Sequence, residues 1–150
     1  FRSLEVREIG DGREFLAFWR EDGVDEALNL ADLSDGVLRF MALASLCLVP
    51  EPPPLLCIDD PGFGLHPRTL PVLTGLFEKA AERTQVLLAT HDSYFLTQFD
   101  PENLAVIKKT ADGSVYAAAR HSETLMERLR QVQDEDLERM FRGDELETLF

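Results

Sequence analysis

The sequence predicts an α/β domain in which a mostly parallel sheet is flanked by helices and peripheral β-hairpins. Two short apolar runs, Leu55–Ile58 and Gln85–Ala89, are bounded by prolines and polar residues, as is typical of buried parallel strands. The segment between them has the apolar spacing of a helix. Because 150 residues can enclose one core and no repeat or low-complexity tract interrupts them, we expect residues 1–150 to form a single domain.

Two predicted hairpins flank this central unit. Leu4–Ile9 pairs with Glu14–Trp19, and Leu104–Lys109 pairs with Ser114–Arg120. Each pair is joined by a short segment that contains Asp-Gly, a favoured turn sequence between strands. The last segment, Glu123–Phe150, is acidic and has the pattern of a broken helix.

Two helices are predicted within the central unit. Val37–Leu48 is apolar nearly all round apart from Arg39 and one serine, which predicts a buried helix ended by the prolines between positions 50 and 54. The next helix begins at Pro67 or Pro71 and runs to about Arg83. The residues expected on its packed side are Leu73, Leu76, Phe77 and Ala80.

The charge balance restricts the partners of this chain. Its net charge is -13, from 15 Lys+Arg against 28 Asp+Glu. Because Lys and Arg dominate duplex binding, nucleic acid would have to be contacted by parts outside this chain. A cytoplasmic location without membrane contact is expected, since no signal-peptide pattern or apolar run of ~20 residues occurs. Cys47 and Cys57 lie in apolar runs and are expected to be small buried hydrophobes without a disulfide.

Three short motifs lie at the ends of predicted elements. Leu33-Ser34-Asp35-Gly36 precedes the first helix, Asp59-Asp60-Pro61 follows the first buried strand, and Thr90-His91-Asp92 follows the second. Carboxylates after a parallel strand reach the crevice where such sheets bind ligands. A hydroxyl and backbone N–H groups at a helix start can bind an anion.

These motifs resemble those of ABC-type ATPases, in the form found among RecF-like and chromosome-maintenance (SMC)-like ATPases. Ser34-Asp35-Gly36 resembles their helix-capping signature, Pro54–Pro67 their Walker B strand and D-loop, and Thr90-His91-Asp92 their switch histidine. The nearest resemblance, over about residues 32–109, is to bacterial AAA-domain ATPases of the abortive-infection type. It implies the C-terminal lobe of a P-loop NTPase of the ABC type.

The resemblance also implies ATP and Mg²⁺, with a role for five residues. Asp59 would bind Mg²⁺ through water, Asp60 would polarise the attacking water, and His91 would contact both the water and the γ-phosphate. Ser34 and Gly36 would bind the γ-phosphate held by an opposite head. The implied partner is therefore a second ATPase head, most simply in a homodimer.

One required part, the phosphate-cradling P-loop, is absent from the chain. That loop needs a lysine directly after a glycine. The three lysines, Lys79, Lys108 and Lys109, do not follow one. We therefore expect an N-terminal lobe elsewhere to carry the P-loop, and the isolated chain to be inactive.

Two residues or pairs depart from the family pattern. Asp60 stands where the family usually has Glu, and its shorter side chain predicts slow hydrolysis, since a displacement of about 1 Å can cost a hundredfold in rate. Gly62-Phe63 replaces a more polar pair in the D-loop.

A degenerate head that binds partners without hydrolysis is one alternative. The other is a metal-dependent phosphohydrolase, which leaves the Ser34 motif unexplained and would use Asp59, Asp60, His66, His91 and Asp92.

Overall fold

The computed structural model describes residues 3–131. Its strands are β1 (Ser3–Ile9), β2 (Glu14–Arg20), β3 (Leu28–Asn29), β4 (Leu55–Asp59), β5 (Gln85–Ala89), β6 (Ala105–Thr110) and β7 (Gly113–Ala118). Its α-helices are α1 (Asp35–Leu48), α2 (Leu70–Ala81), α3 (Ser93–Leu96) and α4 (Glu123–Gln131). The result is a mixed α/β fold with a parallel sheet, helices and antiparallel hairpins, as predicted.

The N-terminal hairpin forms as the sequence predicts. β1 and β2 are antiparallel, and their register ends with Ile9 opposite Glu14. The connecting turn contains Gly10 and Gly12 with φ of +72° and +83°, a region that glycine occupies without steric cost. The two-residue strand β3 pairs with β2 and is too short to produce a sequence pattern.

The parallel pair β4 and β5 forms the centre of the fold. Leu55 lies opposite Gln85 and Asp59 opposite Ala89, so the two strands end together. α2 connects them, which gives the β-α-β unit that parallel pairing requires. α2 packs against both α1 and β5. Pro71 lies in the first turn of α2, where the missing N–H breaks no helical bond.

The main core lies between these helices and one face of the sheet. Leu73, Phe77 and Ala80 are fully buried on α2, and Leu76 is partly buried against them, which confirms the predicted packed side. From the strands, Ile58 and other inward-facing side chains pack on the same cluster. The buried residues of this cluster are Leu43, Cys47, Leu70, Leu73, Phe77, Ala80 and Phe95.

The prediction of fully buried strands is wrong for one face of the sheet. Leu55 and Leu87 are 50% and 57% exposed, and Cys57 is also exposed rather than buried. Successive side chains of a strand point to opposite faces. Because α1 and α2 cover one face and no described element covers the other, every second side chain remains in solvent.

The prediction of a helix buried all round also needs correction. Leu43 and Cys47 are the fully buried residues of α1, whereas Leu46 and Leu48 are about half exposed. α1 therefore packs by one side, against α2. Both cysteines are free thiols, and burial raises the pKa of Cys47 although the nearby Arg83 opposes the shift.

The C-terminal hairpin forms a second, smaller cluster with the last described helix. β6 and β7 are antiparallel as predicted, with Ala105 opposite Ala118. Leu104, Leu125 and Leu129 are buried together beside them. Of the predicted acidic tail, α4 is helical and residues 132–150 lie outside the described part. None of the described helices has the length and apolarity to cross a membrane.

Candidate functional site

The ends of β4 and β5 bring three of the predicted site residues to one edge of the sheet. Asp59 is the last residue of β4 and lies opposite Ala89, the last residue of β5. Asp60 follows the first strand and His91 lies two residues beyond the second. Because carboxyl ends of parallel strands form the ligand crevice of such sheets, this is where the chemistry was expected.

Asp60 and His91 are in direct contact. The Nδ1 atom of His91 is 2.9 Å from the Oδ1 atom of Asp60, and the backbone N–H of His91 donates to the same oxygen at 3.3 Å. The His91 side chain is 84% exposed and that of Asp60 is 32% exposed. The carboxylate thus orients the imidazole through Nδ1, and the ring is otherwise open to solvent.

The backbone of Asp60 adopts a left-handed conformation, with φ of +44°. A non-glycine residue in this region is uncommon and costs on the order of 1–3 kcal/mol, although short polar side chains tolerate it best. Its N–H donates to the carbonyl of Ala89 at 2.8 Å, and its carbonyl accepts from the N–H of Phe63 at 3.1 Å. The conformation directs the chain from β4 into the loop that follows.

Asp59 presents a carboxylate with no hydrogen bond or ion pair to any residue in the described range 3–131. Its residue is exposed, at the end of a strand. Mg²⁺ binds oxygen ligands and commonly uses one or two carboxylates together with water and phosphate oxygens. A single free carboxylate at this edge fits such a site.

Ser34 and Gly36 lie at the start of α1, next to the loop that follows Asp60. Ser34 is the N-cap, and its hydroxyl accepts from the N–H of Val37 at 3.4 Å. A Cβ atom at Gly36 would lie only 2.8 Å from the carbonyl oxygen of Gly64. The start of the helix therefore touches the backbone of the loop, and only glycine allows that approach.

Arg39 joins the same site, a role that the sequence did not reveal. Its Nη2 atom donates to the backbone carbonyl of Asp60 at 2.9 Å, and its guanidinium carbon lies 5.6 Å from the centre of the Phe63 ring. Its Nε atom is buried without a hydrogen-bond partner in the described structure, which costs about 1–3 kcal/mol. The available signal was a single charged residue in the apolar segment 37–48.

Two residues of the phosphohydrolase alternative have structural roles instead. The Nδ1 atom of His66 accepts from the N–H of Arg68 at 3.1 Å and caps the turn Pro67–Thr69. Asp92 caps α3, where its Oδ1 atom accepts from the N–H of Phe95 at 3.1 Å. In the described range, no three His, Cys, Asp or Glu side chains are grouped to hold a metal ion.

Comparison with known proteins assigns the chain to a family. Residues 2–97 match the family described as "AAA domain, putative AbiEii toxin, Type IV TA system". The chain belongs to this AAA-domain family. The matched range of the AAA domain contains α1, β4, β5 and all five residues of the predicted site. No curated protein matches the chain in sequence.

The AAA-domain chain also has the fold of a solved ATPase. It superimposes with a TM-score of 0.62 on a chain from a study of ATP-driven dimerization and DNA-stimulated activation of SMC ATPases. The two sequences are 14% identical, and the match covers 88% of this chain and 84% of that chain. The family match therefore confirms the predicted resemblance to bacterial AAA-domain ATPases of the abortive-infection type, and the structural match confirms an SMC-like fold.

Proposed function

We propose that this chain is the C-terminal lobe of an ABC-class ATPase head that binds Mg²⁺-ATP between two heads and hydrolyses it. One observation carries the proposal. The contact between Asp60 and His91 joins the residues after two parallel strands, at the edge where such sheets act on ligands. The start of α1 lies against the loop that follows them.

The exposed side of the Asp60 and His91 pair suits activation of a water molecule. Asp60 accepts the proton or orients the water, and His91 stabilises the carboxylate while its outer nitrogen faces the substrate. The free carboxylate of Asp59 would hold Mg²⁺, which neutralises charge on the phosphate oxygens when bound.

Ser34 and Gly36 would bind the γ-phosphate of ATP held by the opposite head. Gly36 leaves the helix start open, and an anion is favoured at that end of the helix dipole. The solved structure of similar fold comes from SMC ATPases with ATP-driven dimerization, which supports a second head as partner. A homodimer is the simplest such assembly.

The P-loop would come from an N-terminal lobe outside this chain. Among the described strands β5 is paired only with β4, and a groove of about 290 Å³ lies between β5 and the start of β6. Val86, Leu88 and Leu104 are among the residues that line it. An apolar groove beside a free strand edge suits a further strand. Nucleic acid would be contacted through that other part, and ATP as substrate agrees with a cytoplasmic location.

Replacement of Asp60 tests the proposed chemistry in the full-length protein. Asp60→Asn should abolish ATP turnover and preserve ATP binding, because it removes the base and leaves Asp59. Asp60→Glu should raise turnover by restoring the longer reach. Asp100→Asn is a matched control, since Asp100 caps the turn Pro101–Asn103 and makes no hydrogen bond with a site residue in the described range. Unchanged turnover in Asp60→Asn would show that the water is activated elsewhere.

A non-hydrolysing head that acts as a binding module is the second candidate. It is favoured by the use of the Asp60 Oδ1 atom in both contacts with His91, which leaves one oxygen of a short side chain for water. ATP turnover by the wild-type full-length protein decides between the two candidates. Sustained turnover that Asp60→Asn abolishes supports the enzyme, and tight ATP binding without turnover supports the binding module.

Substitution of Ser34 tests the pairing of heads. Ser34→Arg should leave the first binding of ATP nearly intact but block ATP-induced pairing, because it adds bulk where the second γ-phosphate contact forms. Light scattering with and without ATP, in the Asp60→Asn background, measures pairing. If pairing is unaffected, Ser34 is only the helix cap seen in its contact with Val37.

A further inference from the structure

Arg39 connects two parts of the site that serve different nucleotides in the proposed function. It lies on α1, whose start carries Ser34 and Gly36. Its guanidinium reaches the backbone carbonyl of Asp60 at 2.9 Å, 21 residues away in sequence. The helix start would meet the ATP of the opposite head, whereas Asp60 would act on the ATP of its own head.

The hydrogen bond from Arg39 stabilises an unfavourable backbone conformation of Asp60. Asp60 has a φ of +44°, its N–H donates to the carbonyl of Ala89, and its carbonyl accepts from both Arg39 and the N–H of Phe63. A hydrogen bond from a charged donor is shorter and stronger than a neutral one. The φ and ψ angles of Asp60 set the direction of its side chain. Hydrogen bonds that fix its N–H and its carbonyl therefore also fix the contact with His91.

The surroundings of Arg39 hold its guanidinium in one place. One face lies near the ring of Phe63, with the guanidinium carbon 5.6 Å from the ring centre. Its Nε atom is buried and makes no hydrogen bond within the described residues. Among the described residues, the bond to the carbonyl of Asp60 is the hydrogen bond that this side chain makes.

We propose that Arg39 is a positioning residue that fixes the Asp60 carboxylate against His91 and couples the start of α1 to it. This inference rests on the proposed function, because it assigns Asp60 the role of base. Movement of α1 on pairing of two heads would reach Asp60 directly through Arg39. Hydrolysis would then depend on the position of the helix that contacts the second head.

The opposite end of α1 provides a matched control. Arg83 donates to the backbone carbonyls of Cys47 at 2.7 Å and Val49 at 2.9 Å, where the helix ends. It is therefore also an arginine that tethers backbone carbonyls near α1, but it has no contact with Asp60 or His91 among the described residues. Loss of either arginine removes a tether of α1, and only loss of Arg39 releases the base.

The test compares Arg39→Ala, Arg39→Lys and Arg83→Ala in the full-length protein, with Asp60→Asn as the reference for loss of the base. Arg39→Ala should lower kcat by about a hundredfold with KM for ATP nearly unchanged, since a displacement of about 1 Å has that effect. Arg39→Lys should recover part of the rate, because lysine keeps the charge but lacks the planar fork. Arg83→Ala should lower Tm without a comparable loss of kcat.

The outcomes separate this inference from the proposed function. Equal kcat in Arg39→Ala and Arg83→Ala, with Asp60→Asn inactive, overturns the role of Arg39 and leaves the ATPase proposal intact. No turnover in the wild type overturns both. If Arg39→Ala does not fold, Arg39→Lys and Arg83→Lys decide. Reduced kcat at normal Tm in Arg39→Lys alone supports the role, and equal rates overturn it.

Discussion

The two faces of the parallel sheet differ in exposure, although both carry apolar side chains. On one face, Ile58, Val86 and Leu88 pack on a core that includes Phe77. On the other, Leu55 and Leu87 are half exposed and Cys57 is in solvent. Strands that are apolar on both sides are typical of sheets with both faces covered.

The exposed face is the part of the sheet that is available to a further segment of protein. The helix-covered face is built by α1 and α2 from within the chain, and it positions Asp59, Asp60 and His91 at the strand ends. The open face and the free edge of β5 have no cover among residues 3–131. An apolar surface of this kind is characteristic of an interaction site, which supports a second lobe.

Substitutions on the covered and the open face should change the free energy of unfolding by different amounts. Phe77→Ala should lower the free energy of unfolding by about 3–5 kcal/mol, because Phe77 is fully buried. Leu87→Ala should cost less than about 0.5 kcal/mol in the isolated chain. In the full-length protein the same change should cost about 2 kcal/mol or more if the proposed second lobe covers this face. Urea denaturation measures each value.

The control is Leu76→Ala, because Leu76 packs on the core at the covered face. Its loss of unfolding free energy should be the same in the isolated chain and in the full-length protein. Equal small costs for Leu87→Ala in both forms would mean that the open face stays open and that the second lobe docks elsewhere.

Substitutions of two glycines should differ in stability, because one glycine lies against backbone and the other faces open space. Gly36→Ala should destabilise by about 1–3 kcal/mol, because its Cβ would lie 2.8 Å from the backbone oxygen of Gly64. Gly75→Ala, in α2 with no atom within 4 Å of its Cβ, should stabilise by about 0.4–1 kcal/mol. Thermal unfolding of both variants measures the difference. Similar values would show that the approach between α1 and the loop is loose.

The two cysteines should differ in their rates of alkylation, because one lies on the open face and the other in the core. Cys57 is exposed and should react with iodoacetamide in the isolated chain, whereas Cys47 is buried with a raised pKa and should react slowly. Adding the second lobe should protect Cys57 and leave Cys47 unchanged. Mass spectrometry locates the modified thiol. Reaction of Cys57 at the same rate in the full-length protein would contradict a covered face.

The two parallel strands and the order of the site motifs could be predicted from the sequence, because both depend on local patterns. The runs ending at Asp59 and Ala89 are short and apolar, and parallel pairing places the residues after them together. The exposure of Cys57 could not be predicted, since an apolar run looks the same whether one face or two are covered. The contact of Arg39 with Asp60 depends on packing between distant segments, and β3 and α3 are too short to give a periodic signal.

The most direct test of an ATP site divided between two lobes is a measurement of ATP turnover. This chain would be assayed alone and together with the lobe that carries the P-loop, the two being expressed as separate polypeptides. We expect no appreciable turnover by either part, and Mg²⁺-dependent turnover after mixing that Asp60→Asn in this chain abolishes. Rapid hydrolysis by this chain alone, after strict removal of contaminating ATPases, would rule out an ATP site that is divided between two lobes.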